Sequence, residues 1–194
     1  MESSGNILFC GVGGQGILLA SEITAHALLA TGMDAKKSEV HGMAQRGGSV
    51  EAHLRYGKKV FSPLIEPGTA DLLLAFEIME ALRYLPYLNK NSKVIVNTQR
   101  ILPPAVATGK VLYPGNILAE LADRGLTVVP VDGYEIAKKA GNAKAANVAL
   151  VGALSSLMPI PEQTFIDVIK QRVPARFLDV NLAVFQEGRK VGQA

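Results

Sequence analysis

The sequence has no tryptophan, one cysteine and three histidines. Each shortage excludes a class of chemistry. A lone thiol forms no intrachain disulfide and cannot supply the four thiolates of an iron–sulfur cluster or a closed zinc site. Cys10 ends an apolar run, Asn6-Ile7-Leu8-Phe9-Cys10, and reads as a small core residue rather than a nucleophile. Three scattered histidines argue against a metal centre. Charge is also sparse: charged residues make up 19% of the chain and the net charge is +3, with no basic run beyond pairs such as Lys36-Lys37, Lys58-Lys59 and Lys138-Lys139. Without a clustered basic face or stacking indoles, nucleic-acid binding is not expected. No apolar run approaches the ~18 residues of a membrane span, and no charged-then-apolar leader opens the chain. A soluble, cytoplasmic protein is expected.

What is present is apolar material in strand and helix periods. With 194 residues and 48% hydrophobic content, the chain is long enough for one domain, residues 1–194, around a sizeable core. The run 6–10 reads as a strand. The stretch 15–30 is apolar nearly all round, which suits a helix buried against a sheet, and Thr31-Gly32 ends it. A second strand is expected near 35–40. Val50, Ala52, Leu54 and Tyr56 alternate with Ser49, Glu51, His53 and Arg55, the pattern of a half-buried strand. That assignment puts His53 on the surface or at an interface, and Gly57-Lys58-Lys59 is expected to turn into a hairpin partner at Val60-Phe61. Residues 71–76 and 93–97 read as buried parallel strands around a helix through Met79, Leu82 and Leu85. A helix over 116–122, a strand over 126–131 and a mostly helical stretch from Asp132 onward complete the pattern. The expected fold is α/β: a Rossmann-like three-layer domain with a mixed sheet, an antiparallel hairpin after the second strand and a helical C-terminal third.

Two glycine-rich stretches carry the candidate chemistry. Gly11, Gly13 and Gly16 match G-x-G-x-x-G between a strand and a helix, with Gly14 and Gln15 inside the turn. Glycines there let backbone amides approach an anion, and a helix N-terminus points free N–H groups at it. Glu39 lies near where a ribose-binding acid would fall, so a dinucleotide-binding oxidoreductase is one reading, and tight packing without any ligand is another. The Walker phosphate loop is excluded, because no Lys-Ser or Lys-Thr follows the glycines. The second stretch, Ser38-Glu39-Val40-His41-Gly42-Met43-Ala44-Gln45-Arg46-Gly47-Gly48-Ser49, is chemically rich for a turn. It reads as an anion-reading or interface loop with Arg46 as cation and His41 and Gln45 as hydrogen-bond partners. Asn147, among small apolar residues, reads as a buried group satisfying backbone, and His26 as a packed or edge histidine.

GVGGQGILLASEI, KSEVHGMAQRGGSVEAHLRYG and VFSPLIEPGTADLLLAFE together resemble the gamma subunit, or gamma domain, of 2-oxoacid:ferredoxin oxidoreductases. The likeness extends to VIVNTQ at Val94 and AANVALVGAL at Ala145, and the His41–Gln45 portion resembles the indolepyruvate branch, its beta subunit. The resemblance implies an accessory subunit, not active alone, in an enzyme that oxidatively decarboxylates aryl pyruvates to acyl-CoA and reduces ferredoxin. It implies that thiamine diphosphate, Mg and [4Fe–4S] clusters reside on an alpha-subunit partner, with CoA as co-substrate and none of them held by this chain. It also implies that Gly11, Gly13, Gly14, Gln15 and Gly16 form an anion, CoA or interface loop, and that Glu39, His41, Gln45, Arg46, Gly47 and Gly48 form the substrate-edge or interface loop. A homodimer of the isolated chain stays open at this point.

Overall fold

The computed structural model describes residues 4–41 and 47–193. Its centre is a six-stranded sheet in the order β2-β3-β1-β4-β5-β6. The strands are β1 (Gly5–Val12), β2 (Asp34–His41), β3 (Ser49–Gly57), β4 (Ala70–Ala75), β5 (Leu88–Asn97) and β6 (Thr127–Val131). β1, β4, β5 and β6 run parallel, whereas β3 is antiparallel to both β1 and β2.

Side chains of a strand alternate between the two faces of the sheet, and here each face meets its own layer of helices. Ile7, Phe9, Leu72, Leu74 and Ile95 enter a core shared with α1 (Ile17–Ala30), α5 (Gly133–Lys139), α6 (Ala146–Ser156), α7 (Glu162–Arg172) and α8 (Leu178–Gln193). Leu8, Cys10, Leu73, Ala75, Val94 and Val96 enter a second core under α2 (Ile78–Arg83) and α4 (Ile117–Asp123). A single-turn helix, α3 (Pro104–Ala107), lies in the long connection after β5. Three layers and a helical C-terminal third are thus present. Asn116 and Asp132 cap α4 and α5 through their side-chain oxygens, the usual use of Asn and Asp at helix starts.

Two expectations need correction. The hairpin is made by β2 and β3 themselves; Val60 and Phe61 are coil, and Phe61 is exposed. His53 is buried, not superficial. Its Nδ1 accepts the Ile65 N–H at 3.0 Å and its ring meets Tyr87 edge-on at 5.5 Å. The connection between β3 and β4 folds back over the face of β3 that alternation marks as solvent-facing. Such a long-range return leaves no mark in a two-residue period.

The C-terminal layer depends on small residues. Gly152 on α6 and Gly188 on α8 sit where an added Cβ would collide with the carbonyls of Phe185 and Ala149 respectively. The two helix backbones approach that closely only because neither position carries a side chain.

Candidate functional site

The rim at the carboxyl ends of the parallel strands is where α/β sheets place ligands, at the point where the chain stops moving one way across the sheet and starts moving the other. Here that point falls between β1 and β4, and the first glycine loop emerges there.

Three glycines of the loop, Gly11, Gly14 and Gly16, have a physical reason to be there. A Cβ on Gly11 would stand 2.7 Å from the Phe76 Cβ and 2.9 Å from Gln15 Oε1. Gly16 caps α1 with φ 80°, a left-handed conformation, and a Cβ there would stand 2.6 Å from Asn147 Nδ2. Gly14 also takes a positive φ, 102°. Gln15 then folds back across the turn. Its Oε1 accepts the Val12 N–H at 2.8 Å, while its Nε2 donates to the Phe76 carbonyl at 2.7 Å and to Gln99 Oε1 at 3.2 Å. Asn97 reinforces the same junction, donating to the Phe76 carbonyl at 2.9 Å and accepting the Gly133 N–H at 3.2 Å. A carboxamide lattice therefore occupies the inner side of the turn and takes up the Val12 amide.

The second glycine stretch meets the first. The Gly13 N–H donates to the Gly48 carbonyl at 2.8 Å, and the Gly47 N–H returns a longer bond to Gly13. Gly47, Gly48 and Gly13 are thus brought together. Gly42, Met43, Ala44, Gln45, Arg46 and the side chain of His41 lie outside the described residues. Glu39 is not brought to the glycine turn. It stands on the edge strand with β3 between it and β1, and it is ion-paired with Lys37 on the same strand. Clefts of about 530 Å³ beside Ile17 and Leu18, and of about 440 Å³ beside Gln99, Tyr134 and Lys144, flank the turn on either side.

A buried carboxylate that sequence reasoning did not single out organises the other side of the rim. Glu77, fully buried, caps α2 through Oε2, which accepts the Met79 N–H at 2.8 Å and the Glu80 N–H at 3.1 Å. Its Oε1 accepts the Ile101 N–H at 3.1 Å and the Tyr113 hydroxyl at 2.5 Å. Glu80, also buried, accepts from Ser49 Oγ at 2.7 Å and from Arg83 Nε at 3.0 Å. Burial pushes the Tyr113 hydroxyl well above the ordinary tyrosine value, and the hydrogen bond to Glu77 adds to the shift. Burial, then the charges of Glu80, Glu51 and Glu77, push the Cys10 thiol far up as well, which makes it an inert core group. The available signal for Glu77 was a carboxylate placed directly before a short apolar helix, the position of an N-cap. Among the described residues no group of three or more His, Cys, Asp or Glu side chains is placed to hold a metal. Likewise, no helix among them is long and apolar enough to cross a membrane.

A strand inserted between β1 and β2, with a glycine turn filled by its own glutamine, sets the chain apart from dinucleotide-binding α/β domains. Comparison with known proteins gives the class directly. The model of the pyruvate ferredoxin/flavodoxin oxidoreductase family matches residues 6–191. Indolepyruvate oxidoreductase subunit IorB of Archaeoglobus fulgidus is 44% identical over 187 residues, which is 94% of this chain and 92% of that one. The keto/oxoacid ferredoxin oxidoreductase gamma subunit from Geobacter sulfurreducens shares the fold, with TM-score 0.73 at 24% identity over 97% of this chain and 98% of that one. The 2-oxoglutarate:ferredoxin oxidoreductase from Magnetococcus marinus shares it too, with TM-score 0.78 at 20% identity over the whole of this chain but 32% of that one. The chain belongs to the pyruvate ferredoxin/flavodoxin oxidoreductase family, as an accessory subunit of a 2-oxoacid:ferredoxin oxidoreductase. The free-standing dinucleotide-binding reading has no support from fold or relatives.

Proposed function

We propose that this subunit completes a cytoplasmic enzyme that oxidatively decarboxylates aryl pyruvates, indolepyruvate among them, to acyl-CoA with ferredoxin as electron acceptor. The observation that carries the substrate class is the 44% identity to an indolepyruvate oxidoreductase subunit over nearly the full length of both chains. The whole of 1–194 acts as one gamma-type unit. A [4Fe–4S] cluster takes four thiolates and this sequence has one, so its residues do not fit that group. Clusters, thiamine diphosphate and Mg belong to the alpha-subunit partner, and no step of the chemistry runs on this chain alone.

The role of this chain is then positional. The rim formed by Gly11, Gly13, Gly14, Gln15 and Gly16, together with His41, Gln45, Arg46, Gly47 and Gly48 but without Glu39, faces the CoA path or the partner's catalytic edge. The backbone bond between Gly13 and Gly48 supports treating the two stretches as one surface. Gln15 bonds the first stretch to the Phe76 carbonyl, and Arg46 is our candidate cation for an anionic group there.

The deciding experiment is anaerobic assay of the two-subunit complex with indolepyruvate, pyruvate and 2-oxoglutarate, each with CoA and a ferredoxin-type acceptor. Indolepyruvate should give the largest kcat/KM, and a preference for either other acid overturns the substrate class. In the same complex, Arg46→Ala should lower turnover at least tenfold with assembly intact. Unchanged turnover removes Arg46 from the site. The isolated chain should show no thermal stabilisation by NAD or NADP.

A further inference from the structure

The two clefts beside the glycine turn differ in what they offer a ligand. The one beside Ile17 and Leu18 is lined by glycines and aliphatic side chains, so no side chain there can orient a polar molecule. The other, of about 440 Å³, lies between the turn, the end of β5 and the start of α6, and its size suits a small molecule.

The second cleft has a specific chemistry. Phe76 and Leu150, both buried, give it apolar surface, and the exposed Tyr134 ring gives it an aromatic edge. Among the described residues that line it, Lys144 alone is charged, and no described carboxylate pairs with that lysine. At this wall α6 starts with no side-chain cap and no acid in its first turn, so the positive end of the helix reinforces the ammonium. Gln99 uses its Oε1 to accept from Gln15 and Asn97, which leaves its Nε2 as a donor toward the cleft. Asn147 gives the sharpest indication. It lines the cleft while only 6% exposed, and its Nδ2 makes one long bond, 3.4 Å, to the Gly16 carbonyl. Its Oδ1 accepts from no described residue. Polar atoms so sheltered normally have a partner, and here a ligand N–H would supply it.

We infer that this cleft holds an aryl 2-oxoacid. The carboxylate sits at Lys144 and the start of α6, the 2-oxo oxygen at Gln99 Nε2, the ring against Tyr134 and Phe76, and a ring N–H at Asn147 Oδ1. The inference rests on the functional reading above and deepens it, because it gives this chain its own contact with the substrate. A nucleotide diphosphate suits the cleft less well: it brings several negative charges to a single lysine, a point charge without the fork of an arginine.

The test exploits the absence of tryptophan, since indole emission in a titration then comes from the probe alone. Indole-3-acetate, an unreactive aryl acid, should bind the full-length chain saturably. Indole-3-acetamide, which lacks the charge, should bind about tenfold more weakly, and Lys144→Gln should abolish that difference. 1-Methylindole-3-acetate, which lacks the N–H, should bind wild type about fivefold more weakly. Tyr134→Ala should weaken indole-3-acetate about threefold, and both variants should keep the circular dichroism of wild type. No saturable binding overturns the inference, and so does binding that neither Lys144→Gln nor the methylated probe weakens. If adenosine monophosphate binds in a Lys144-dependent way and indole-3-acetate does not, the cleft is a nucleotide site and the inference also fails. Failure of the functional reading looks different: the two-subunit complex would prefer pyruvate or 2-oxoglutarate while this chain still bound the aryl probe, and the cleft assignment would stand.

Discussion

The α6–α8 pair and the 101–116 arm treat side chains in opposite ways. In the helix pair, glycines at 152 and 188 remove side chains so that two backbones can touch. In the arm, leucines and valine extend into water from a backbone pinned at both ends. The first region spends its composition on this chain's own stability. The exposed side chains of the second, Leu102, Val111 and Leu112, contribute almost nothing to that stability. Substitutions in the two regions should therefore differ sharply in their effect on stability.

The largest effect on stability is expected from Gly188→Ala, which forces a methyl group against the Ala149 carbonyl. It should cost about 3 kcal/mol, a fall of roughly 6–12 °C in the thermal midpoint for a chain of this size. Glu77→Ala should follow, at about 2 kcal/mol in denaturant unfolding, because buried N–H donors of Met79 and Glu80 lose their acceptor. That variant also removes the acceptor shared by the Ile101 N–H and the Tyr113 hydroxyl at the two ends of the arm. Gly16→Ala imposes a left-handed backbone on a residue with a Cβ and crowds Asn147, and should cost about 1.5 kcal/mol.

Smaller still is Tyr113→Phe, about 1 kcal/mol near neutral pH for the lost bond to a carboxylate. Its pH dependence has a definite sign. The folded chain holds the Tyr113 proton more tightly than the unfolded chain. That contribution is complete below the ordinary tyrosine value of about 10, and it fades as the pH rises above it and the unfolded chain ionises. Wild type should thus keep its margin over Tyr113→Phe up to about pH 10 and lose it progressively above that in parallel unfolding titrations. Leu112→Ser closes the series, with a change under about 0.5 kcal/mol in the isolated chain.

What could be read in the sequence was local. The strand–turn–helix at the start of the chain was legible because a glycine pattern and an apolar helix adjoin within thirty residues. The parallel strands were legible because strands covered on both faces are apolar almost throughout. The order of strands was not, because the pairing of β3 with β1 rather than with a partner at Val60 depends on distant contacts. For the same reason His53 looked superficial. Glu39 is a different kind of miss. Lys37 and Glu39 are two apart on a strand and so share a face, and their ion pair, which removes Glu39 from consideration as a ribose ligand, could have been read from spacing alone. For Glu77 only the N-cap position was legible; the groups it joins come from α2, the start of the arm and its far end, and no short window of sequence contains all three.

The central position of β1 also bears on how the chain is made. It precedes both of its neighbours in the chain, residues 49–57 and 70–75. One of its edges stays bare until β3 has been synthesised and the other until β4 has, with Ile7, Leu8 and Phe9 awaiting both. Long-range pairing of this kind slows folding and prolongs exposure to aggregation. The nascent chain should therefore depend on chaperone shielding during that interval more than a protein whose first strand lies at a sheet edge.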